Sequence, residues 1–115
     1  MTIRIGTTRQ AVAGGYTALG TAFSMHTGAG AGTTGANEAT GGGYTRETTV
    51  WGTGSNGVKP GSQMTFDLDT GTYVEVGYWD SLTIGSGTFL DACVMTSTPL
   101  SVPGQILVTP TYTQT

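Results

Sequence analysis

The sequence predicts an all-β fold: a single-domain β-sandwich or small barrel of six to seven short, mainly antiparallel strands with one long glycine-rich loop. Three observations lead there. Threonine and glycine supply 24 and 20 of the 115 residues; threonine is stiff at its branched carbon and suits a pleated strand, while glycine punctuates turns. The strong surface helix formers Lys, Glu and Arg are scarce, because only 10% of the chain is charged. The apolar residues fall into short alternating runs rather than scattering, as a folded β chain requires. A chain of this length forms one domain, residues 1–115, and hides roughly two thirds of its unfolded surface, which leaves little room for a deep pocket.

Residues Thr2 to Thr8 alternate Ile3 and Ile5 with polar neighbours and suit a strand, with residues 1–9 as an extended N-terminal arm. From Gln10 to Gly20, glycines 14, 15 and 20 each cost about 1 kcal/mol inside a helix, so at most one short helical turn is expected. Leu19 to Thr27 reads as a strand. Gly28 to Gly43 carries seven glycines and no apolar residue larger than alanine, which makes it a long loop. Tyr44 to Trp51 alternates as a strand whose two faces are both partly covered, and Gly52 to Gly61 is a turn region.

Ser62 to Asp69 places Met64, Phe66 and Leu68 on one face, the cleanest half-buried strand in the chain. Thr72 to Asp80 offers Val74, Val76 and Tyr78 inward with Tyr73, Glu75 and Trp79 opposite. The short Thr70-Gly71 connection predicts that these two strands pair as a hairpin. Gly87 to Ser97 puts Leu90, Ala92 and Val94 on one face and Phe89, Cys93 and Met95 on the other. Gln105 to Tyr112 closes the chain, and prolines 99, 103 and 110 flank these runs, where a missing amide is tolerated.

Charge excludes several partners. Four basic against seven acidic residues give a net charge of −3, so no cationic face exists to neutralise phosphates or anionic lipid, and neither nucleic acid nor membrane is expected as a partner. The start of the chain lacks the apolar core of a signal peptide, which places synthesis in a cytoplasm. The single Cys93 rules out an internal disulfide.

The motifs that would carry chemistry lack their contexts. Gly30-Ala31-Gly32-Thr33-Thr34-Gly35 matches the dinucleotide-binding pattern, but no helix opens after it to meet a pyrophosphate. His26 is the one histidine and is expected to be a hydrogen-bonded structural residue at a strand end. Asp67 and Asp69 resemble the opening of a calcium loop without its glycine or closing glutamate. No catalytic residue, metal ligand or cofactor site is therefore assigned. Asn37 and Glu38 are candidate anchors of the long loop, with Arg46 as the partner of Glu38, and the ordered loop is a candidate docking surface. Tyr44, Trp51, Tyr73 and Trp79 are candidate interface aromatics; with Tyr78 and Tyr112 they are also the side chains a sugar-stacking strip would use.

One resemblance adds to this. The run Ser24-Met25-His26-Thr27-Gly28, then Gly32-Thr33-Thr34-Gly35-Ala36-Asn37-Glu38, Gly41-Gly42-Gly43-Tyr44-Thr45-Arg46 and Trp51, resembles a family of small virion proteins of tailed bacteriophages. These are common in phages of actinobacteria and are called minor tail or tail fibre proteins. Val76-Gly77-Tyr78-Trp79-Asp80 and Gly87-Thr88-Phe89-Leu90 are similar to that family's hydrophobic strand pair, while Ala29-Gly30 stands where Asp-Pro is common. The resemblance implies a non-enzymatic structural component of a virion, either capsid decoration or minor tail protein. Such a subunit forms a homo-oligomer and contacts other virion proteins. The alternative is a carbohydrate-binding module that attaches a virion or an enzyme to a host-surface glycan.

Overall fold

The computed structural model describes residues 2–115. One helix and eight strands follow in order: α1 (Gly6–Thr17), β1 (Ala22–Thr27), β2 (Glu47–Thr48), β3 (Val58–Pro60), β4 (Met64–Leu68), β5 (Gly71–Trp79), β6 (Phe89–Leu100), β7 (Gly104–Val108) and β8 (Thr111–Thr113). All pairings are antiparallel. A four-stranded sheet runs β2-β1-β5-β6, β4 pairs with β7 in a second sheet, and β3 pairs with β8 in a small third one. The domain is mainly β, as its composition predicts.

The core lies between the first two sheets. Phe23, Met25, Tyr73, Val76 and Tyr78 come from the larger sheet, and Met64, Phe66 and Leu68 from β4. Residues of β4 alternate between buried and exposed without a break, because one face meets that core and the other meets water. β1 instead is buried on both faces. Phe23 and Met25 enter the core, while Ser24 and His26 lie beneath the Gly28–Gly43 loop, which covers the outer face of the sheet.

The N-terminal region departs from the sequence reading. Residues 6–9 are not an arm but the start of a 12-residue helix that carries both Gly14 and Gly15. Two internal glycines cost about 2 kcal/mol in helix propensity, and tertiary bonds outweigh that. The Arg9 Nε–H donates to the Asn56 carbonyl, and Gln10 bonds both the Thr53 carbonyl and the Gly57 amide. Tyr16 stacks on Tyr78 and Tyr112. Only residues ahead of the helix are extended, with Ile5 at φ −92° and ψ 122°.

Three other expectations are corrected. The hairpin between β4 and β5 does not form: β4 pairs with β7, and β5 pairs with β1 and β6. The Asp69-Thr70 corner, fixed by the Tyr73 hydroxyl donating to the Asp69 carbonyl at 2.7 Å, carries the chain from one layer to the other. The predicted facing of β5 fails at Tyr73, which is 2% exposed. The ladders to β1 and to β6 both skip Val74, so a bulge there turns Tyr73 to the same side as Val76. Finally, Tyr44 to Trp51 forms a ladder only at Glu47–Thr48, because Tyr44 and Arg46 turn to the loops and Thr49 and Val50 bond Ser62 in the other layer.

Candidate functional site

Two regions hold the residues of interest: a polar clamp that fixes the long loop, and an open apolar seam at the opposite margin of the larger sheet.

The clamp centres on Arg46, which precedes β2 and is 4% exposed. Its Nε and Nη2 donate to the two carboxylate oxygens of Glu38, both at 2.9 Å. Its Nη1 donates to the carbonyls of Ser81 and Ser86 at 2.9 and 3.0 Å, and the guanidinium lies 3.7 Å over the centre of the Trp79 ring. A planar five-donor group is what such a site requires, since an ammonium could not make the paired carboxylate bond and stack on indole together. Glu38 also accepts from the Tyr44 hydroxyl at 2.7 Å. Burial by itself would raise the Glu38 carboxyl, but the bonds from Arg46 and Tyr44 outweigh it and hold the group below its ordinary value. Burial and the Glu38 bond push the Tyr44 hydroxyl in the other direction, well above the usual tyrosine value.

Asn37 adopts φ +59°, a left-handed conformation that asparagine tolerates, and donates to the Gly30 carbonyl at 2.9 Å. Its own carbonyl accepts the Thr27 amide, and the Ala39 amide donates to the Met25 carbonyl. Residues 37–39 thereby extend the line of β2 along β1. The structure thus joins Glu38 to Arg46 and places Asn37 inside the loop. What the sequence reading missed is the third member, Trp79, and the second loop, residues 80–88, that Arg46 ties to the first.

Beneath the loop a chain of side-chain hydrogen bonds is closed. The Trp79 indole N–H donates to Ser24 Oγ at 2.7 Å, and Ser24 Oγ lies 2.6 Å from His26 Nε2. His26 Nδ1 is 2.6 Å from the Ala36 carbonyl. A carbonyl only accepts, so Nδ1 carries a proton, and with the indole donating to it, the serine hydroxyl is free to donate to Nε2. Both Ser24 and His26 are 0% exposed, so the pair resembles a catalytic dyad in distance only: no substrate reaches it. Gly77 lies against this pair, and a Cβ there would collide with Ser24 Oγ and with His26 Nε2. The alternation Ser24-x-His26 on one strand face was the available sequence signal; the glycine opposite it becomes meaningful only once β1 and β5 are paired.

The candidate aromatics are interior. Tyr44, Tyr73 and Trp79 are 8%, 2% and 8% exposed, and Trp51 is half-buried, donating its indole N–H to the Gly20 carbonyl. Asp67 accepts from Gln105 across the β4–β7 ladder, and Asp69 caps the Thr70 amide.

The second region is an apolar groove of about 510 Å³. Phe23, Val76 and Tyr78 form its floor, and its walls are formed by residues 91–93 and 95 of the β6 side and 106–112 of the β7 side. Side chains alternate along a strand, so a wall of consecutive residues is a wall of main chain. Strand β6 pairs only with β5 and β7 only with β4. At the far side of the sandwich the two layers are joined: Ser62 donates its amide to the Val50 carbonyl at 3.0 Å, Ser62 Oγ accepts the Val50 amide at 2.8 Å, and Thr49 Oγ1 donates to the Ser62 carbonyl at 2.9 Å. Among the described residues no backbone bond joins β6 to β7. The groove is therefore the unclosed seam of the sandwich.

Asp91 stands at its rim. One carboxylate oxygen accepts the Ala92 amide at 2.8 Å and the other the Tyr16 hydroxyl at 2.6 Å. Burial and the adjacent carboxylate raise the Tyr16 hydroxyl far above its usual value, so it remains a donor. Cys93, exposed and unpaired with any cysteine, is on the same wall. Set beside known proteins, the chain matches no family model, no curated sequence and no solved structure.

Proposed function

We propose that the protein is a non-enzymatic structural component of a bacteriophage virion, a capsid decoration or minor tail subunit that works in many copies through protein–protein contacts. The observation that carries this reading is the open seam: two unpaired strand edges flanking an apolar groove, on a surface with few charges to keep other chains away. Exposed apolar side chains elsewhere, Val94, Val50 and Val102 at 77%, 73% and 67%, add surface that neighbouring subunits would cover. The polar side chains with chemical potential, Ser24, His26, Glu38 and Arg46, are engaged in holding loops. Modest contacts repeated by symmetry give a stable assembly even where each is weak. The carbohydrate-binding alternative gains little, because Tyr44, Tyr73 and Trp79 face the interior rather than forming an exposed coplanar strip.

The test is electron microscopy of particles from the phage that encodes the chain, with wild-type protein compared against a deletion. The expected result is regularly placed density of this size, lost in the deletion. Particles unchanged by the deletion, together with a purified protein that has no affinity for virion components, would overturn the reading.

A further inference from the structure

We propose that the seam between β6 and β7 receives the extended N-terminal segment, residues 2–5, of a second copy of this chain, adding a strand there. The proposal deepens the reading of the protein as a multi-copy subunit and rests on it.

The slot has three properties. Its walls are the outer edges of β6 and β7, along which neither strand has a ladder partner. On the β6 side the Ala92 amide is bonded by the Asp91 carboxylate at 2.8 Å. Its floor is apolar, with Met95 and Ile106 among the lining side chains. Its one carboxylate is Asp91. An occupant therefore needs a free extended backbone, apolar side chains at alternate positions and at most a cationic partner for that carboxylate, which is the mode of recognition by strand addition.

Residues 2–5 have these features. The segment lies outside every helix and ladder, and its last residue, Ile5, is extended. Ile3 and Ile5 alternate with Thr2 and Arg4, and Ile5 is 62% exposed despite its apolar side chain. Four residues span about 10 Å from first to last Cα, so the segment fits within the stretch from Asp91 to Met95 on the slot wall. The segment carries one cation, Arg4, and the slot one carboxylate, Asp91, which shares its sheet face with Tyr78. In the single chain the Arg9 guanidinium bonds the Ile3 and Arg4 carbonyls at 2.8 and 3.1 Å, and the Arg9 amide donates to the Ile5 carbonyl at 3.0 Å; among the described residues, residues 2–4 have no backbone bond to lose when they move into a seam. Segment and slot are different surfaces, so the contact is heterologous and propagates head to tail into a ring or a filament.

The test uses two lesions. Ile5→Asp removes the apolar side chain that enters the seam. Ile5 is the N-cap of α1 and has no side-chain cap bond, and aspartate is a preferred residue there, so this variant keeps its helix. A bulky maleimide on the exposed Cys93 obstructs the seam without a mutation. Light scattering over a concentration series is expected to show self-association of the wild type and at least about tenfold weaker association with either lesion, as for loss of a buried anchor. Circular dichroism should be unchanged in both. Mixed one to one, the two lesioned forms should recover a dimer that grows no further, the intact segment of the labelled copy occupying the open seam of the variant. A wild type that stays monomeric at high concentration would overturn the proposal, as would an Ile5→Asp variant that assembles normally. A mixture without dimers would also overturn it and would favour symmetric pairing of β6 edges. Assembly without affinity for phage particles would leave this contact standing and sink the virion reading; monomers that bind particles would do the reverse.

Discussion

The two lateral margins of the sandwich solve the same problem in opposite ways. Where residues 47–52 pass residues 60–62, the sheets are stitched by short irregular segments whose amides and hydroxyls bond across the gap, including the Gly52 amide to the Pro60 carbonyl at 2.6 Å. Where β6 passes β7, a 12-residue strand and a five-residue strand keep their outer edges free. Both margins are poor in charge, with one carboxylate each, Glu47 and Asp91, so charge does not distinguish them. What differs is where the hydrogen bonds go. A buried amide or carbonyl without a partner costs about 1–3 kcal/mol, so the chain satisfies its polar groups internally on one margin and leaves them to water or to another chain on the other. The Arg46 clamp belongs to the closed side, since it fixes the loop that completes the line of β2.

Four measurements break or sharpen this contrast. The largest effect is expected on the closed side. Arg46→Ala leaves the Glu38 carboxylate without its partner and the Ser81 and Ser86 carbonyls without a donor, and removing one member of a buried pair costs about 3–5 kcal/mol. Chemical denaturation should show that loss, and hydrogen exchange should rise over both residues 28–43 and residues 80–88; a loss under 1 kcal/mol would show that the loops are held elsewhere.

A smaller loss is expected at the stitched seam. Thr49→Val keeps shape and removes the hydroxyl that donates to the Ser62 carbonyl, which should cost about 1–3 kcal/mol. If Thr49→Val were neutral, the closed margin would be held by its backbone bonds alone.

The third concerns acid. Because the folded Glu38 carboxyl sits below its ordinary value, its contribution is complete above the unfolded glutamate value of about 4.3 and is lost as pH falls through the folded one. Stability of the wild type should decline over that interval, and Glu38→Gln should be less stable at neutral pH with a flatter acid profile. Parallel acid profiles for the two would reject the clamp as the source.

The smallest change in stability is expected at the open seam. Leu107 is 55% exposed on the β7 wall of the groove, so Leu107→Ser should alter the unfolding free energy by about 0.5 kcal/mol or less, while lowering self-association. A large loss of stability there would mean that the seam is already closed in the single chain.

Much of the fold was legible before any coordinates. The alternation of Met64, Phe66 and Leu68 located β4 and its buried face, because a strand with water on one side must alternate. The glycines from Gly28 to Gly43 marked the loop correctly, and all seven adopt positive φ. Acid, base and spacing suggested Glu38 with Arg46, although Trp79 lies 33 residues beyond Arg46 and no local pattern links them. The helix was not legible. Its propensity is poor, and what stabilises it, stacking of Tyr16 on Tyr78 and Tyr112 and the bonds of Arg9 and Gln10, comes from residues 43 or more positions away.

The sequence by itself determined the class of the fold, the loop and the scarcity of charge, because these follow from propensity, periodicity and composition, which are local quantities. Only the tertiary structure decided that β4 pairs with β7 rather than β5, that a bulge at Val74 turns Tyr73 inward, and that one margin of the sandwich closes while the other stays open. Those outcomes depend on which of several distant segments satisfies a given set of hydrogen bonds. That choice is settled by summed packing over the whole domain, and no window of neighbouring residues contains it.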